Sequence, residues 1–271
     1  MYNEYYGFDE APFNLTPDPR FLFLSPKHRE ALNHMMYGLR QRKGFMQLTG
    51  EVGAGKTTIC RQMLRMLPSS FRTALVLNPC LTDVQLLSTI VSEFGLDPPQ
   101  RDRITLLETL NEFLLEQVTA GNDAVLIIDE AQDLTMELLE QVRLLTNLET
   151  DQRKLLQIIL IGQPELRDKL NDPRLRQLRQ RISVRYHLKS LTRIEMDLYI
   201  RQRLRVAGGQ QGQGPRFNPM ALRRTYRYSK GIPRLVNAAC DMSLLAGYVS
   251  KQSRVTSTLV RRAIRQLEGQ T

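Results

Sequence analysis

A glycine-rich segment at residues 50–57 has the composition of a phosphate-binding loop. It matches the pattern G-x-x-x-x-G-K-[ST] in full and reads Gly50-Glu51-Val52-Gly53-Ala54-Gly55-Lys56-Thr57. In such a loop the backbone N–H groups fold around the phosphates, the lysine reaches the β- and γ-phosphates, and the threonine hydroxyl ligates Mg²⁺. We therefore predict that this loop and the following Thr58 contact ATP, with Lys56 also catalytic and Thr57 on the metal.

Two adjacent acidic residues, Asp129 and Glu130, follow the apolar run AVLII at residues 124–128. Asp129 lies 72 residues after Thr57. An apolar strand that ends in Asp-Glu supplies a carboxylate for Mg²⁺ and a second one for the attacking water. Together with the phosphate-binding loop, the pair predicts ATP hydrolysis with Asp129 on the metal and Glu130 as the base.

Further polar residues follow the next strand pattern, at residues 156–161. Gln163 comes just after it, where a side chain would sense the γ-phosphate, although a plain turn residue is the alternative. The segment 172–181 then carries four arginines: Arg174, Arg176, Arg179 and Arg181. One of them could act as an arginine finger in a neighbouring subunit's site, and we favour Arg179 or Arg181. The others fit a solvated basic helix.

The segment Ser229-Lys230-Gly231-Ile232-Pro233-Arg234 lies at the start of a predicted helix. Gly231 permits a turn and Pro233 suits the first helical position. We predict that Arg234 points from a helical lid toward the bound nucleotide, as a sensor residue.

The elements that must position these groups alternate along the chain. We predict strands at 45–49, 73–77, 124–128, 156–161 and 182–188, and helices at 26–44, 56–66, 86–94, 104–118, 137–148 and 173–180. Strands that alternate with helices indicate a parallel sheet covered on both faces. The predicted fold class is α/β, a P-loop NTPase of the AAA+ type with a five-stranded parallel core sheet.

After Leu191 the pattern becomes helical, at 194–207, 219–228, 233–248 and 257–267. A flexible GGQQGQG segment at 208–214 separates the first two of these helices. The first 24 residues are rich in aromatic residues and proline, which predicts an arm laid over a domain. We therefore divide the chain near Ser190 into an arm plus core, 1–190, and an all-helical lid, 191–271.

The charge of the 271-residue chain is uneven. Its net charge is +10, but residues 1–150 sum to −7 and residues 151–271 to +17. This asymmetry suits head-to-tail packing of identical subunits, and equally a nucleic acid or an anionic membrane surface. Cys60, Cys80 and Cys240 fit no disulfide or metal pattern, and no apolar run approaches the roughly 20 residues of a membrane span. We expect a soluble cytoplasmic protein.

A family resemblance rests on four segments read together. These are residues 5–21 (YYGF, PF and TPDPRF), Thr49-Gly50-Glu51-Val52-Gly53, Asp129-Glu130-Ala131-Gln132 and Gly162-Gln163-Pro164-Glu165-Leu166. They resemble the ExeA/GspA ATPases of the general (type II) secretion pathway over nearly the whole chain. The resemblance implies ATP and Mg²⁺ as cofactors, a homo-oligomer, and a nucleotide contact from Pro12 and Phe13 in the N-terminal stretch.

In that family a cytoplasmic AAA+ domain precedes a membrane helix and a peptidoglycan-binding domain. With an inner-membrane partner it helps the secretin pass through and assemble in the cell wall. This chain stops at Thr271, before either segment, so it is a truncated cytoplasmic portion or a relative without those parts.

Three alternatives stay open. The same subgroup is similar to transposition-helper ATPases of the MuB/TnsC/TniB kind, which bind DNA as ATP-dependent filaments. An ATPase of an exopolysaccharide or pilus system is related, and a nucleotide-gated interaction switch with little turnover is the third. For the secretion type we expect nucleic-acid binding to be weak and non-specific.

Overall fold

The computed structural model of the protein describes residues 2–14, 18–77, 79, 81–149, 154–208 and 215–269. Thr16 and Pro17 of the N-terminal motif, Cys80, and most of the predicted flexible segment lie outside the described residues. In chain order the elements are α1 Tyr2–Tyr6, α2 Pro26–Arg40, β1 Phe45–Gly50, α3 Lys56–Met66, β2 Phe71–Val76, α4 Asp83–Glu93, α5 Arg103–Thr119, β3 Asp123–Ile128, α6 Met136–Leu145, β4 Leu156–Gly162, α7 Pro164–Leu170, α8 Arg176–Arg181, β5 Ile182–Leu188, α9 Arg193–Ala207, β6 Arg216–Phe217, α10 Pro219–Ser229, α11 Pro233–Val249, β7 Arg254–Val255 and α12 Ser257–Leu267.

The main sheet has five strands in the order β2-β3-β4-β1-β5, and every neighbouring pair is parallel. This confirms the predicted fold class. Because the strands are parallel, their carboxyl ends meet at one edge, and ligands of open α/β sheets bind outside that edge. The three central strands there lead into the phosphate-binding loop (β1), Asp129 (β3) and Gln163 (β4).

Helices cover both faces of this sheet. One face carries alternate residues of β1 to β4, such as Phe45, Leu126 and Ile158, which form one core with the buried side chains of α4 to α8. The opposite face carries Met46. Helix α2 packs against it so closely at Gly38 that a Cβ there would lie 2.3 Å from the Met46 sulfur. Strands buried on both faces account for the continuous apolar runs in the sequence.

The chain forms two compact units. The first comprises Met1–Pro26, Glu51–Gly55 and Lys189–Thr271, and the second comprises Lys27–Gly50 and Lys56–Leu188. The domain boundary near Ser190 stays a prediction. The charge asymmetry weakens in the folded units, since the second holds 21 Lys and Arg against 19 Asp and Glu, and the first 17 against 9.

In the first unit, the N-terminal arm packs on the C-terminal helices. Phe8, Phe13 and Phe21 are buried in a core with side chains of α9 to α12. Arg203 is also buried, and it donates to the carbonyl oxygens of Pro12 (2.5 Å) and Asn14 (2.9 Å). Its guanidinium carbon lies 4.8 Å from the centre of the Phe21 ring. These contacts hold the arm as an integral part of the unit.

The C-terminal region is not purely helical, because β6 and β7 form a two-stranded parallel sheet. The turn that precedes α11 requires glycine, since Gly231 has φ +80° and a Cβ there would lie 1.9 Å from the Leu191 carbonyl oxygen.

No helix among the described residues has the length and apolar character needed to cross a bilayer.

Several element bounds differ from the sequence predictions. The helix predicted at 26–44 ends at Arg40, because Arg42 and Gly44 adopt positive φ angles of 48° and 78° that break the helix. The helix predicted at 173–180 is a 3-10 turn, Pro173–Leu175, followed by the short α8. Helix α7 is absent from the sequence predictions, although Pro164 stands at its first position, where proline is favoured.

Candidate functional site

The candidate site lies at the carboxyl edge of the sheet, where β1 ends and α3 begins. Lys56 is the first residue of α3 and is only 6% exposed. Its Nζ donates a hydrogen bond of 2.9 Å to the carbonyl oxygen of Gly50. The ammonium group is therefore held beside the start of the glycine-rich segment, where a lysine that binds phosphate is needed.

Thr57 and Asp129 meet at the same edge, as predicted for two ligands of one metal ion. The Thr57 Oγ1 donates to Asp129 Oδ2 at 2.9 Å. Asp129 follows β3, and its backbone N–H donates to Val76 O of the neighbouring β2 at 2.8 Å. The sheet thus continues its hydrogen-bond pattern up to the aspartate and fixes where its side chain starts.

Burial of the Asp129 carboxyl group lowers the free energy of unfolding. It is 3% exposed, and burial raises the pKa of its carboxyl group above the ordinary value. The hydrogen bonds from Thr57 and from the backbone N–H of Glu130 oppose this rise in pKa, as does the positive charge of Lys56. A bound divalent cation would favour the carboxylate form further.

The donor set fits Mg²⁺. A threonine hydroxyl and an aspartate carboxylate are hard oxygen ligands, and Mg²⁺ takes one or two such protein ligands together with phosphate oxygens and water. A buried carboxylate next to a hydroxyl also provides negative charge where a divalent cation would compensate for it. Thr57 and Asp129 would hold the ion, and the assignment of both as metal ligands stays a prediction.

Glu130 adopts a left-handed backbone conformation, with φ 51° and ψ 37°. A non-glycine residue with positive φ is uncommon, and such strain is found at functional sites. The conformation turns the chain sharply after β3 into the 3-10 turn Ala131–Asp133. Glu130 Oε2 accepts hydrogen bonds from Gln132 Nε2 at 3.0 Å and from Gln163 Nε2 at 3.3 Å.

Gln163 therefore lies beside the predicted base, at the end of β4. Gln132 completes this group, since its Oε1 accepts the backbone N–H of Gln163 at 3.0 Å. Gln132 belongs to the segment Asp129-Glu130-Ala131-Gln132 that carries the family resemblance, but its residue type and position predict no role for it. The sequence alone shows only an amide side chain two residues after Glu130, and its contact with the residue after β4 is visible only in the fold.

In the other unit, the loop Glu51–Gly55 includes Gly53 and Gly55, with φ angles of 75° and 102°. Successive backbone N–H groups near such residues form concave anion sites. A Cβ at Gly53 would lie 2.4 Å from Arg234 Cβ, and the Arg234 N–H donates to Gly53 O at 3.3 Å. Arg234 thus lies beside the glycine loop within this unit, with an exposed side chain.

The two favoured arginines make contacts within their own chain. Arg179 donates to Asn171 O at 3.4 Å and Arg181 to Thr146 Oγ1 at 2.5 Å. Arg174 forms an ion pair with Asp172 at 2.9 Å. Arg176 is exposed on α8. Action of Arg179 or Arg181 in a neighbouring subunit stays a prediction.

Three further residues named in the sequence analysis are buried. Pro12 and Phe13 belong to the arm, and Phe13 packs its ring edge against Phe217 at a centroid distance of 6.4 Å. Their nucleotide contact stays a prediction. Cys60 on α3 is a buried free thiol, and burial raises its pKa to about 12, so it is a packing residue.

Comparison with known proteins relates the chain to a sequence family and to a curated relative. Residues 39–170 match the family described as AAA domain. The chain is 46% identical over 270 residues to general secretion pathway protein A of Aeromonas hydrophila, an alignment that covers 99% of this chain and 49% of that protein. The chain thus spans about half the length of this relative.

Solved structures share the fold at low sequence identity. The ORC2 protein of Aeropyrum pernix in its ADP form matches with a TM-score of 0.69 and 17% identity, over 95% of this chain and 73% of that chain. Cdc6p of Pyrobaculum aerophilum matches with a TM-score of 0.72 and 18% identity, over 95% and 71%. The RuvB motor of Thermotoga maritima gives 0.57 and 18%, over 90% and 70%.

The raised pKa of Asp129 predicts that Asp129→Asn stabilises the protein when no metal is present. Because the folded pKa lies above the unfolded value of about 3.9, the free energy of unfolding falls as the pH rises through this interval. The penalty is therefore larger at pH 7 than at a pH below this interval. The asparagine removes it, and each kcal/mol gained raises the melting temperature by about 2–4 °C in a chain of this size.

The measurement is thermal unfolding at pH 7 in EDTA, with the exposed Asp133→Asn as the matched control, which should leave the melting temperature unchanged. Adding Mg-ATP should raise the melting temperature of the native chain and not of Asp129→Asn, because only the native chain keeps both metal ligands. A lower melting temperature for Asp129→Asn in EDTA would contradict this account of the buried carboxylate.

Proposed function

The chain belongs to the AAA proteins of the ExeA/GspA type, and we propose that it binds Mg-ATP and hydrolyses it. The observation that carries this proposal is the 2.9 Å hydrogen bond between Thr57 and Asp129. It joins two residues 72 positions apart in sequence whose oxygens are the ligands expected for the nucleotide's magnesium ion. Glu130 stands next to this pair, as the base of a hydrolysis reaction must.

In the proposed reaction, water attacks the γ-phosphorus, the bond from this phosphorus to the β-phosphate oxygen breaks, and ADP and inorganic phosphate are released. Glu130 accepts the proton of the attacking water. Lys56 binds the β- and γ-phosphate oxygens, and Gln163 contacts the γ-phosphate from the end of β4. When bound, Mg²⁺ supplies neutralisation of the phosphate charge.

We further propose that hydrolysis drives or gates assembly of a secretion apparatus. The identity of 46% with general secretion pathway protein A extends over 99% of this chain, which supports a shared role. In the form that the family resemblance implies, the protein acts with an inner-membrane partner, and the secretin then passes through the cell wall and assembles there.

Assembly into a homo-oligomer is part of the proposal. A neighbouring subunit would supply Arg179 or Arg181 to the γ-phosphate, which in other NTPases accelerates hydrolysis by about 10³–10⁵-fold. Arg179 is the stronger candidate, because the hydrogen bond from its guanidinium group to Asn171 O is long, at 3.4 Å, whereas Arg181 donates to the buried Thr146 hydroxyl at 2.5 Å.

Two variants separate binding from hydrolysis. Lys56→Ala should abolish ATP binding, because the β- and γ-phosphates of ATP lose the buried ammonium group that is proposed to bind them. Glu130→Gln should bind Mg-ATP with about the native affinity and lose turnover by at least about 100-fold, because the metal ligands survive while the base does not. Titration with a fluorescent ATP analogue and a phosphate-release assay measure the two quantities.

The matched control is Glu165→Gln, an exposed glutamate on α7, which should hydrolyse ATP at the native rate. Native turnover by Glu130→Gln would remove Glu130 as the base. Tight ATP binding without turnover by the native chain would instead indicate a nucleotide-gated switch.

A DNA-dependent ATPase is the second candidate function. It is favoured by exposed arginines on two packed helices of the C-terminal region: Arg223 and Arg227 on α10, and Arg261, Arg262 and Arg265 on α12. Such a surface attracts the phosphates of DNA regardless of sequence. Adhesion alone therefore does not decide between the two functions.

Dependence on nucleotide does decide between them. If the chain is of the secretion type, its affinity for duplex DNA at about 150 mM salt should be the same with and without ATP, and DNA should not stimulate turnover. A transposition-type ATPase couples the two ligands reciprocally, so ATP must raise its DNA affinity. Fluorescence anisotropy with a labelled duplex measures this, and ATP-dependent filaments on DNA would contradict the secretion role.

A further inference from the structure

Gln132 makes a hydrogen bond at each end of its amide. Its Nε2 donates to Glu130 Oε2 at 3.0 Å, and its Oε1 accepts the backbone N–H of Gln163 at 3.0 Å. The amide therefore bridges the residue after β3 to the residue after β4. An amide has one donor end and one acceptor end, and this bridge uses both.

The surrounding residues fix the position of the bridge. Lys169 on α7 donates to the carbonyl oxygens of Gln132 (2.5 Å) and Leu134 (2.7 Å), which holds the 3-10 turn against α7. A Cβ at Gly162 would lie 2.9 Å from Gln132 Oε1 and 2.9 Å from Leu166 Cδ2. Glycine at the end of β4 is thus what lets the glutamine amide approach.

The two oxygens of Glu130 have different surroundings. Oε2 accepts both amide N–H bonds, from Gln132 and Gln163, whereas no hydrogen bond to Oε1 is found within the described residues. Two donors on one oxygen fix the rotation of the carboxylate and leave the lone pairs of the other oxygen available. A base needs such an oxygen to take the proton of a water molecule.

We propose that Gln132 is a positioning residue for hydrolysis, which aligns the Glu130 carboxylate by tying it to the end of β4. The proposal rests on the proposed ATPase function and deepens it. Because the bridge ends on the backbone N–H of Gln163, just after β4, it makes the orientation of the base depend on the position of the residue proposed to contact the γ-phosphate. A shift of Gln163 would then reach Glu130 through a chain of two hydrogen bonds.

The test uses Gln132→Met, which keeps the length of the side chain and removes both hydrogen bonds. We expect kcat to fall by about 10–100-fold, a part of the 10²–10⁴-fold that a general base contributes. The dissociation constant of Mg-ATP should change by less than about 2-fold, since the Gln132 amide bonds Glu130 and the Gln163 backbone rather than Lys56 or the two predicted metal ligands, Thr57 and Asp129. Gln266→Met, on the exposed surface of α12, is the matched control and should retain native kcat and affinity.

Gln132→Glu separates the two ends of the bridge. An ionised glutamate still accepts the Gln163 N–H but donates nothing to Glu130, so turnover should fall as in Gln132→Met. Hydrogen exchange of the Gln163 amide provides a readout that does not depend on turnover. This amide should exchange faster in Gln132→Met than in the native chain, and at about the native rate in Gln132→Glu.

Native kcat in Gln132→Met would overturn the proposal, and so would a loss of kcat with an equal loss of ATP affinity, which indicates a merely structural role. Unchanged exchange of the Gln163 amide would show that the bridge does not exist in solution. If the native chain does not hydrolyse ATP, the proposed function fails and the catalytic role of Gln132 fails with it, while the exchange rates still decide on the bridge.

Discussion

The hydrogen bond between Thr57 and Asp129 joins the start of α3 to the end of β3, and the proposed chemistry depends on it. It forms because β1, β4 and β3 are parallel neighbours, so that the segments after them meet at one edge of the sheet. The burial of this sheet on both faces holds the three strand ends in register. The apolar core is therefore the reason that two oxygen ligands distant in sequence lie 2.9 Å apart.

This edge of the sheet carries a cost in folding free energy. Asp129 is buried with a raised pKa, and Glu130 adopts a strained left-handed conformation. For each of these two features, a substitution that removes it should increase the free energy of unfolding. Their occurrence at adjacent positions is typical of active sites, where function and stability favour different residues. The surrounding strands supply the packing that holds both residues in place.

The sequence predicts the strand-and-helix pattern and the parallel sheet well, because periodic apolar runs and a full phosphate-loop motif are local signals. It does not predict the role of Gln132, because its amide bonds a backbone group 31 residues away, and a contact of this kind requires the fold. It also misses the role of Arg203. This arginine looks like a solvated charge in a basic helix, yet two carbonyl groups of the N-terminal arm accept its hydrogen bonds.

A crystal structure of the chain with Mg²⁺ and a non-hydrolysable ATP analogue would show whether Thr57 and Asp129 hold the metal ion. We expect Mg²⁺ at about 2.1 Å from Thr57 Oγ1, with Asp129 bound to the ion directly or through one coordinated water. The Lys56 ammonium should leave Gly50 O for the phosphates. A nucleotide bound elsewhere, or an ion that contacts neither Thr57 nor Asp129 while Lys56 stays on Gly50 O, would contradict the account.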